Sequence, residues 1–178
     1  MRGKVSMIGL IFALWALTSP AYPCSYPTDS CPCMFVSGDF DNDGRYDVVF
    51  IFGGGRCAGG YASGTTYLKL ATSEIRIELG VGLYLAKGDF NGDGNLDLMI
   101  TTGASTHHIL LGNGNGTFEK APPMGGFHST LAPVVFDYDG DGYDDFALTG
   151  GYNPPSVYLS NGDGTFRYGF YLDMGVRP

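Results

Sequence analysis

The chain has 178 residues, with 10 Lys and Arg against 18 Asp and Glu, and a formal net charge of −8. This acidity disfavours nucleic acid and anionic membrane surfaces as partners. The 29 glycines and the 12 tyrosines and 12 phenylalanines fit many short strands joined by tight turns, with little room for helix. The composition therefore predicts an all-β protein.

Residues 1–21 have the layout of a secretory signal peptide. Arg2 and Lys4 precede an apolar run over 5–17, and small residues follow up to Ala21. A membrane anchor is the alternative, but the run is shorter than the roughly 20 residues that cross a bilayer. We expect a secreted chain that begins after Ala21 and has no stable membrane insertion.

A cysteine-containing segment, 22–36, follows the signal peptide. The four cysteines of the chain are Cys24, Cys31, Cys33 and Cys57. An even number in an exported protein predicts two disulfides. A bridge between Cys31 and Cys33 would close a small strained ring, so we expect one of them to pair with Cys24 and the other with Cys57. Zinc is the alternative, but this spacing is not a familiar zinc pattern.

One nine-residue pattern then occurs three times, beginning at Asp39, Asp89 and Asp137. The first aspartates lie 50 and then 48 residues apart, which is the spacing of a structural repeat. Each copy has oxygen-bearing side chains at positions 1, 3, 5 and 9 and a glycine at position 6. Alternate side chains of such a loop converge on one point, and the glycine permits a sharp turn, so the pattern predicts a calcium loop.

The main-chain carbonyl of position 7 would add one more oxygen to each loop. The predicted metal ligands are Asp39, Asp41, Asp43, Arg45 and Asp47 in the first copy, Asp89, Asn91, Asp93, Asn95 and Asp97 in the second, and Asp137, Asp139, Asp141, Tyr143 and Asp145 in the third. An Asx-rich turn without a metal is the alternative, and three copies in register disfavour it. We therefore expect up to three calcium ions.

The residues after each loop exclude an EF-hand. Position 12 is Phe50, Ile100 or Leu148 rather than the bidentate glutamate of that motif. The runs that follow are apolar and β-prone, and they soon reach glycine, so each loop is predicted to lead into a strand.

The second halves of the repeats carry a turn signal. The sequence NGxGTF occurs at 113–118 and again at 161–166, each time after an aliphatic stretch. Asn-Gly and Asp-Gly dipeptides between strands predict type I′ hairpin turns. Repeat 1 departs from this, and its register stays open, because residues 53–60 have no counterpart. In repeat 3 Asp144 replaces an apolar residue at position 8, and it either swings outward or competes as a ligand.

These motifs resemble the FG-GAP or VCBS-type repeat of integrin α-subunit heads and of many secreted bacterial and fungal proteins, some of them lectins. The segments that carry the resemblance are GDFDNDGRYDVVF (38–50), GDFNGDGNLDLMI (88–100), LLGNGNGTF (110–118) and YLSNGDGTF (158–166). The resemblance implies that each repeat is a four-stranded blade of a β-propeller, usually seven-bladed, with calcium in a hairpin loop. It implies blades at about 37–86, 87–134 and 135–178.

Three blades form an arc rather than a ring, and the outer faces of the first and last blades would be apolar. A homo-oligomer, a cover from the N-terminal segment, and a fragment of a longer design are three ways to resolve this. The sequence does not choose among them.

The favoured interpretation is a secreted, non-enzymatic module of the adhesion or lectin type that binds a glycan or an extracellular protein. Tyr61, Tyr152, Asn153 and Tyr168 could stack on sugars, although packing within the blades would also explain them. A hydrolase or lyase is the first alternative, but the chain has neither GxSxG nor HExxH, and nothing around its three histidines, at 107, 108 and 128, resembles a triad. A structural remnant is the second alternative.

Overall fold

The computed structural model describes residues 32–53, 55–57, 60–62, 64–73, 76–102, 106–122, 124–125, 132–150 and 153–172. The predicted signal peptide, Cys24, Cys31, His128 and Tyr152 lie outside these ranges. Cys33 and Cys57 lie in described strands, but their side chains do not belong to the described part, so the disulfides stay a prediction.

Three antiparallel sheets follow one another along the chain. Blade 1 has the spatial order β1 (Pro32–Gly38), β2 (Asp47–Phe52), β5 (Gly64–Lys69), β6 (Arg76–Gly82), and a separate hairpin of β3 (Gly55–Cys57) and β4 (Gly60–Ala62) stands between β2 and β5 in sequence. Blade 2 has β7 (Tyr84–Gly88), β8 (Asp97–Thr101), β9 (Thr106–Gly112) and β10 (Phe118–Lys120), with β11 (Met124–Gly125) also paired to β9. Blade 3 has β12 (Val134–Phe136), β13 (Asp145–Gly150), β14 (Asn153–Ser160) and β15 (Phe166–Tyr171).

The prediction of all-β, four-stranded blades is confirmed. Every pair of neighbouring strands is antiparallel, and the described residues include no helix. No described segment is therefore a helix that could cross a membrane. The strand that opens each blade begins at Pro32, Tyr84 or Val134, shortly before the aspartate loop of that blade.

Blade 2 lies between the other two, and its burial reflects this position. All five residues of β8 are buried, whereas β2 alternates buried residues with more exposed ones. Leu98 and Ile100 pack towards blade 1, and Met99 packs towards blade 3. A strand covered on both faces needs apolar side chains at every position, which is why β8 reads as a continuous apolar run.

Two apolar clusters join the blades. The cluster between blades 1 and 2 contains Phe40, Val49, Ile51, Leu68, Leu85, Leu98, Ile100 and Leu110. The cluster between blades 2 and 3 contains Ala86, Phe90, Met99, Ile109, Ala121, Met124, Phe146, Leu148 and Tyr158. The core of the described protein is therefore made of two junctions, since each flat sheet can bury its apolar face only against a neighbour.

The structure resolves the register of repeat 1. The carboxylate of Asp47 accepts the N–H of Ala71, 24 residues later, whereas Asp97 accepts the N–H of Gly112, 15 residues later. The nine extra residues accommodate the β3–β4 hairpin. Leu68 is consequently the counterpart of Ile109, so β5, which contains Leu68, is the third strand of blade 1.

Candidate metal centres

The three aspartate loops all connect the first and second strands of a blade. Loop 1 is 39–47, loop 2 is 89–97 and loop 3 is 137–145. As predicted, each loop leads directly into a strand, because its ninth residue is the first residue of β2, β8 or β13.

Two positions in each loop have left-handed backbone. Position 6 is a glycine with φ between 83° and 90°, as the sequence pattern predicted. Position 4 also has positive φ, at Asn42 (56°), Gly92 (72°) and Gly140 (76°). Glycine adopts this conformation most readily, and asparagine does so more readily than most other residues. The asparagine or glycine at position 4 was therefore a sequence signal for a second left-handed turn in each loop. The two turns curl the loop around the carboxylate of position 1.

The position 1 carboxylate is held by backbone N–H groups inside its own loop. Asp89 accepts from Gly92 at 2.7 Å and from Gly94 at 2.9 Å, and Asp39 accepts from Gly44 at 2.9 Å. Asp137 is held in the same way by Gly140 and Gly142. These hydrogen bonds hold the loop in its shape without a cation.

Positions 3 and 5 turn their oxygens inward through shorter turns. The position 5 carboxylates accept the N–H of position 7 at 2.8 to 3.0 Å in all three loops. In loop 1 Asp41 accepts the N–H of Asp43, and in loop 2 Asn91 accepts the N–H of Asp93. The same backbone path thus places equivalent oxygens in each copy.

The position 9 aspartates are buried and tie the loop to the third strand. One oxygen of Asp97 accepts the N–H of Phe90 and the other accepts that of Gly112, both at 2.7 Å. Asp47 and Asp145 make the same pair of bonds in blades 1 and 3. The structure gives these carboxylates a structural role, and their role as metal ligands stays a prediction.

Burial and crowding raise the affinity of some loop carboxylates for protons. Burial raises the pKa of Asp97 to about 6, although the N–H groups of Gly112 and Phe90 lower it. Burial also raises the pKa of Asp41, and the negative charges of Asp47 and Asp43 raise it further. A cation bound among carboxylates that repel one another would offset this repulsion and stabilise their charged forms.

Loop 2 has a different electrostatic balance because Asn91 replaces an aspartate. Partial burial raises the pKa of Asp93, but the N–H of Asn95 and the side-chain amide of Asn91 lower it by more, so the net pKa falls below its usual value. The Asn91 amide donates to Asp93 at 3.1 Å. Asp93 therefore stays charged, but one of its lone pairs is already occupied by a donor of its own loop.

The donor set fits a calcium ion. Oxygens of Asp39, Asp41 and Asp43 lie within 4.8 Å of one another, and so do oxygens of Asp137, Asp139 and Asp145. Calcium takes oxygen ligands at about 2.3 to 2.6 Å, so two ligands of one ion are at most about 5 Å apart. The described residues therefore bring together three predicted ligands in each of loops 1 and 3 at a spacing that one ion can bridge.

Arg167 is a neighbour of loop 3 that the sequence analysis did not identify. Its guanidinium lies 3.6 Å from the carboxylate of Asp139 and donates to the carbonyl of Ser160 at 2.9 Å. The two residues of this ion pair are 28 positions apart, and no pattern links them. A cation in loop 3 would therefore compete with the Arg167 guanidinium for the carboxylate of Asp139.

The glycine turns of the next blade lie against the loops. The N–H of Gly116 donates to the carbonyl of Phe40, and the hydroxyl of Ser160 donates to the carbonyl of Phe90. Both aromatic side chains are buried, so position 2 anchors loops 1 and 2 in the junctions between blades. These turns are the predicted hairpins, but the prediction of type I′ geometry is wrong. A type I′ turn needs positive φ at two consecutive residues, whereas here positive φ falls on alternate residues, Gly114 and Gly116, within a five-residue loop.

One third of the chain matches a known family of repeats. Residues 89–148, from the first aspartate of loop 2 to the strand after loop 3, match the family model described as FG-GAP-like repeat. The chain carries an FG-GAP-like repeat. No curated protein matches the chain. The resemblance drawn from the loop and turn motifs is thereby confirmed, and loops 2 and 3 both lie within the FG-GAP-like region.

The other residues singled out from the sequence are dispersed. Tyr168 is half exposed on the edge strand β15, far in sequence from the loops. His107 is buried and His108 partly buried on β9, where neighbouring residues face opposite sides of the sheet. The side chains of Tyr61 and Asn153 are outside the described part.

Proposed function

We propose that this FG-GAP-like protein is secreted, binds up to three calcium ions through its aspartate loops, and acts as a non-enzymatic module that binds a glycan or an extracellular protein. The observation that carries the proposal is the repetition of one oxygen-lined loop at the same place in three blades. Secretion is supported by the layout of residues 1–21.

Calcium is the cation that this donor set favours. All predicted ligands are oxygens, and calcium accepts six to eight of them in loose geometry, whereas magnesium demands a strict octahedron. An ion that binds the folded loop and not the unfolded chain stabilises the fold by mass action. Calcium would therefore act as a brace for the hairpins that present the surface of the blades.

Exposed tyrosines support the choice of a glycan or a protein as the partner. Tyr168 and Tyr171 pack edge to face, with ring centroids 5.5 Å apart, and about half of each side chain is exposed. Rigid aromatic side chains with a polar tip supply contact area at small cost in conformational entropy, so they are frequent in binding surfaces. We place the partner surface at this edge of blade 3.

A second copy of the chain is a further partner that the open faces favour. In blade 2, the face with Leu85 and Leu98 packs against blade 1. Phe35 and Val48 occupy the same positions in blade 1. Phe35 and Val48 are 53% and 38% exposed, whereas their counterparts are 2% and 0% exposed. A blade 3 from another copy would cover this face by repeating the junction already present in the chain.

The experiment for the calcium proposal is thermal unfolding in calcium and in a chelator. We expect the unfolding midpoint to fall when calcium is removed, because the loops then lose their bound ion. An unchanged midpoint would contradict the proposal. For the partner surface, a Tyr168→Ala and Tyr171→Ala double variant should lose binding on glycan and protein arrays. Tyr46→Ala, at an exposed tyrosine of loop 1, is the matched control.

A further inference from the structure

Loops 2 and 3 are joined by a reciprocal pair of hydrogen bonds. The backbone N–H of Asp89 donates to the carboxylate of Asp144 at 2.8 Å, and the backbone N–H of Asp144 donates to the carbonyl of Asp89, also at 2.8 Å. Asp89 is the first residue of loop 2 and Asp144 is the eighth of loop 3. Both backbone polar groups of the residue that begins loop 2 are therefore bound by one residue of the next blade.

The same junction is packed closely by a ring and two glycines. A Cβ on Gly88 would lie 2.8 Å from the carboxylate of Asp144, so the glycine leaves room for that side chain. The ring of Tyr143 lies against Gly92 of loop 2, where a Cβ would be 2.5 Å from it. Loop 3 thus contacts loop 2 at its start and at its fourth residue.

The junction between loops 1 and 2 is built differently. The counterpart of Asp144 in loop 2 is Leu96, which packs its methyl group against Gly38. The link between these loops is a hydrogen bond of 2.8 Å between the exposed amides of Asn42 and Asn95. Exposed polar contacts of this kind contribute little, because water competes for both groups. Among the described loops, only loop 2 has its first residue bound by a carboxylate of the next blade.

We infer that Asp144 is a positioning residue for the neighbouring metal site, holding Asp89 ready to bind calcium in loop 2. This inference rests on the proposed calcium binding. Asp144 acts through the backbone of Asp89, whose carboxylate already accepts N–H groups of Gly92 and Gly94. The aspartate at position 8, which the sequence left open as a swung-out group or a competing ligand, is turned towards loop 2, where it accepts the N–H of Asp89.

The arrangement compensates for the weaker charge of loop 2. Asn91 deprives this loop of one carboxylate, so its attraction for a cation is lower than in loops 1 and 3. If loop 2 is already ordered in the calcium-free protein, a larger fraction of molecules is competent to bind the ion. The apparent calcium affinity of loop 2 rises in proportion to that fraction. Loss of the acceptor on Asp144 should weaken calcium binding at loop 2 about tenfold, which corresponds to about 1.4 kcal/mol for one hydrogen bond.

The experiment is a calcium titration of the full chain followed by NMR after labelling with ¹⁵N-glycine. Gly44, Gly94 and Gly142 each donate their N–H to the first carboxylate of loops 1, 2 and 3, so each signal reports one site. Asp144→Leu introduces the residue found at position 96, and Asp144→Ser removes the acceptor without adding apolar bulk. Both should shift the midpoint of the Gly94 signal about tenfold to higher calcium and leave that of Gly44 unchanged.

Two further variants separate position from charge. Asp144→Asn keeps an oxygen that can accept the N–H of Asp89, so the Gly94 midpoint should stay within about threefold of the wild type. Asp163→Asn removes an exposed carboxylate that bonds only within its own turn, and it should change none of the three midpoints. An unchanged Gly94 midpoint in both Asp144→Leu and Asp144→Ser, or an equal shift at Gly44, would overturn the inference. A wild-type chain that shows no calcium response would instead overturn the proposed function.

Discussion

The buried aspartate at position 9 is the residue on which the geometry of each loop depends. Asp97 is fully buried, and each of its two oxygens accepts a backbone N–H, one from loop 2 and one from the end of β9. It therefore fixes the distance between the loop and the third strand of the blade. The three repeats share this pair of bonds as much as they share the array of loop carboxylates.

Replacement of Asp97 by asparagine should destabilise the fold. The amide offers one oxygen where the carboxylate offers two, and its NH₂ would face a second backbone donor. A buried donor without an acceptor costs about 1 to 3 kcal/mol, so we expect the free energy of unfolding to fall by that amount in urea titrations. Asp163→Asn is the matched control, because its exposed side chain should cost less than about 0.5 kcal/mol. Equal stability of the two variants would contradict this role.

A pH dependence should arise from His108 on β9. Burial lowers its pKa below the usual 6.5, and the charge of Lys120 lowers it further. Because the unfolded chain takes up the proton first as the pH falls, the contribution of this histidine to stability is present above about pH 6.5 and is lost below it. The unfolding midpoint should therefore fall between pH 7 and pH 5 by more in the wild type than in His108→Leu. Parallel pH profiles of the two proteins would refute the assignment.

Loop 2 should be the weakest of the three proposed calcium sites. It has three loop carboxylates, and Asp93 already receives a hydrogen bond from the Asn91 amide. Calcium affinity rises with the number of charged ligands. Asn91→Asp should therefore tighten binding at loop 2 by about tenfold, measured at the Gly94 signal, while the Gly44 midpoint stays constant. A wild-type loop 2 with the highest affinity of the three would refute this prediction.

The elements that could be predicted from the sequence are those with local signals. The loops and the strands that follow them were predictable because alternating oxygens, a glycine and a β-prone run lie within about fifteen residues. The β3–β4 hairpin obscured the register of repeat 1, since an insertion removes the periodicity without supplying a signal of its own. The contacts of Asp144 with Asp89, 55 residues away, could not be predicted, because they depend on how two blades pack.

At the scale of the whole molecule, the open face of blade 1 should mediate self-association. Val48 lies on this face, as the counterpart of the fully buried Leu98. We expect the wild-type chain to form a discrete oligomer in light scattering and Val48→Asp to be monomeric, since a charge in an apolar interface is costly. Tyr46→Asp, at an exposed residue of the neighbouring loop, should leave the mass unchanged. A wild-type monomer at all concentrations would contradict the proposed second copy.

The proposed calcium binding can be measured by calorimetric titration of the chelator-treated chain with calcium. We expect up to three sites, with dissociation constants of about 10⁻⁴ to 10⁻³ M, a range typical of extracellular calcium modules. Asp43→Asn should weaken or remove one of them, because it keeps the oxygen that accepts the N–H of Arg45 and removes only the charge. Absence of any binding heat and of any thermal stabilisation at about 10 mM calcium would show that the loops do not bind calcium.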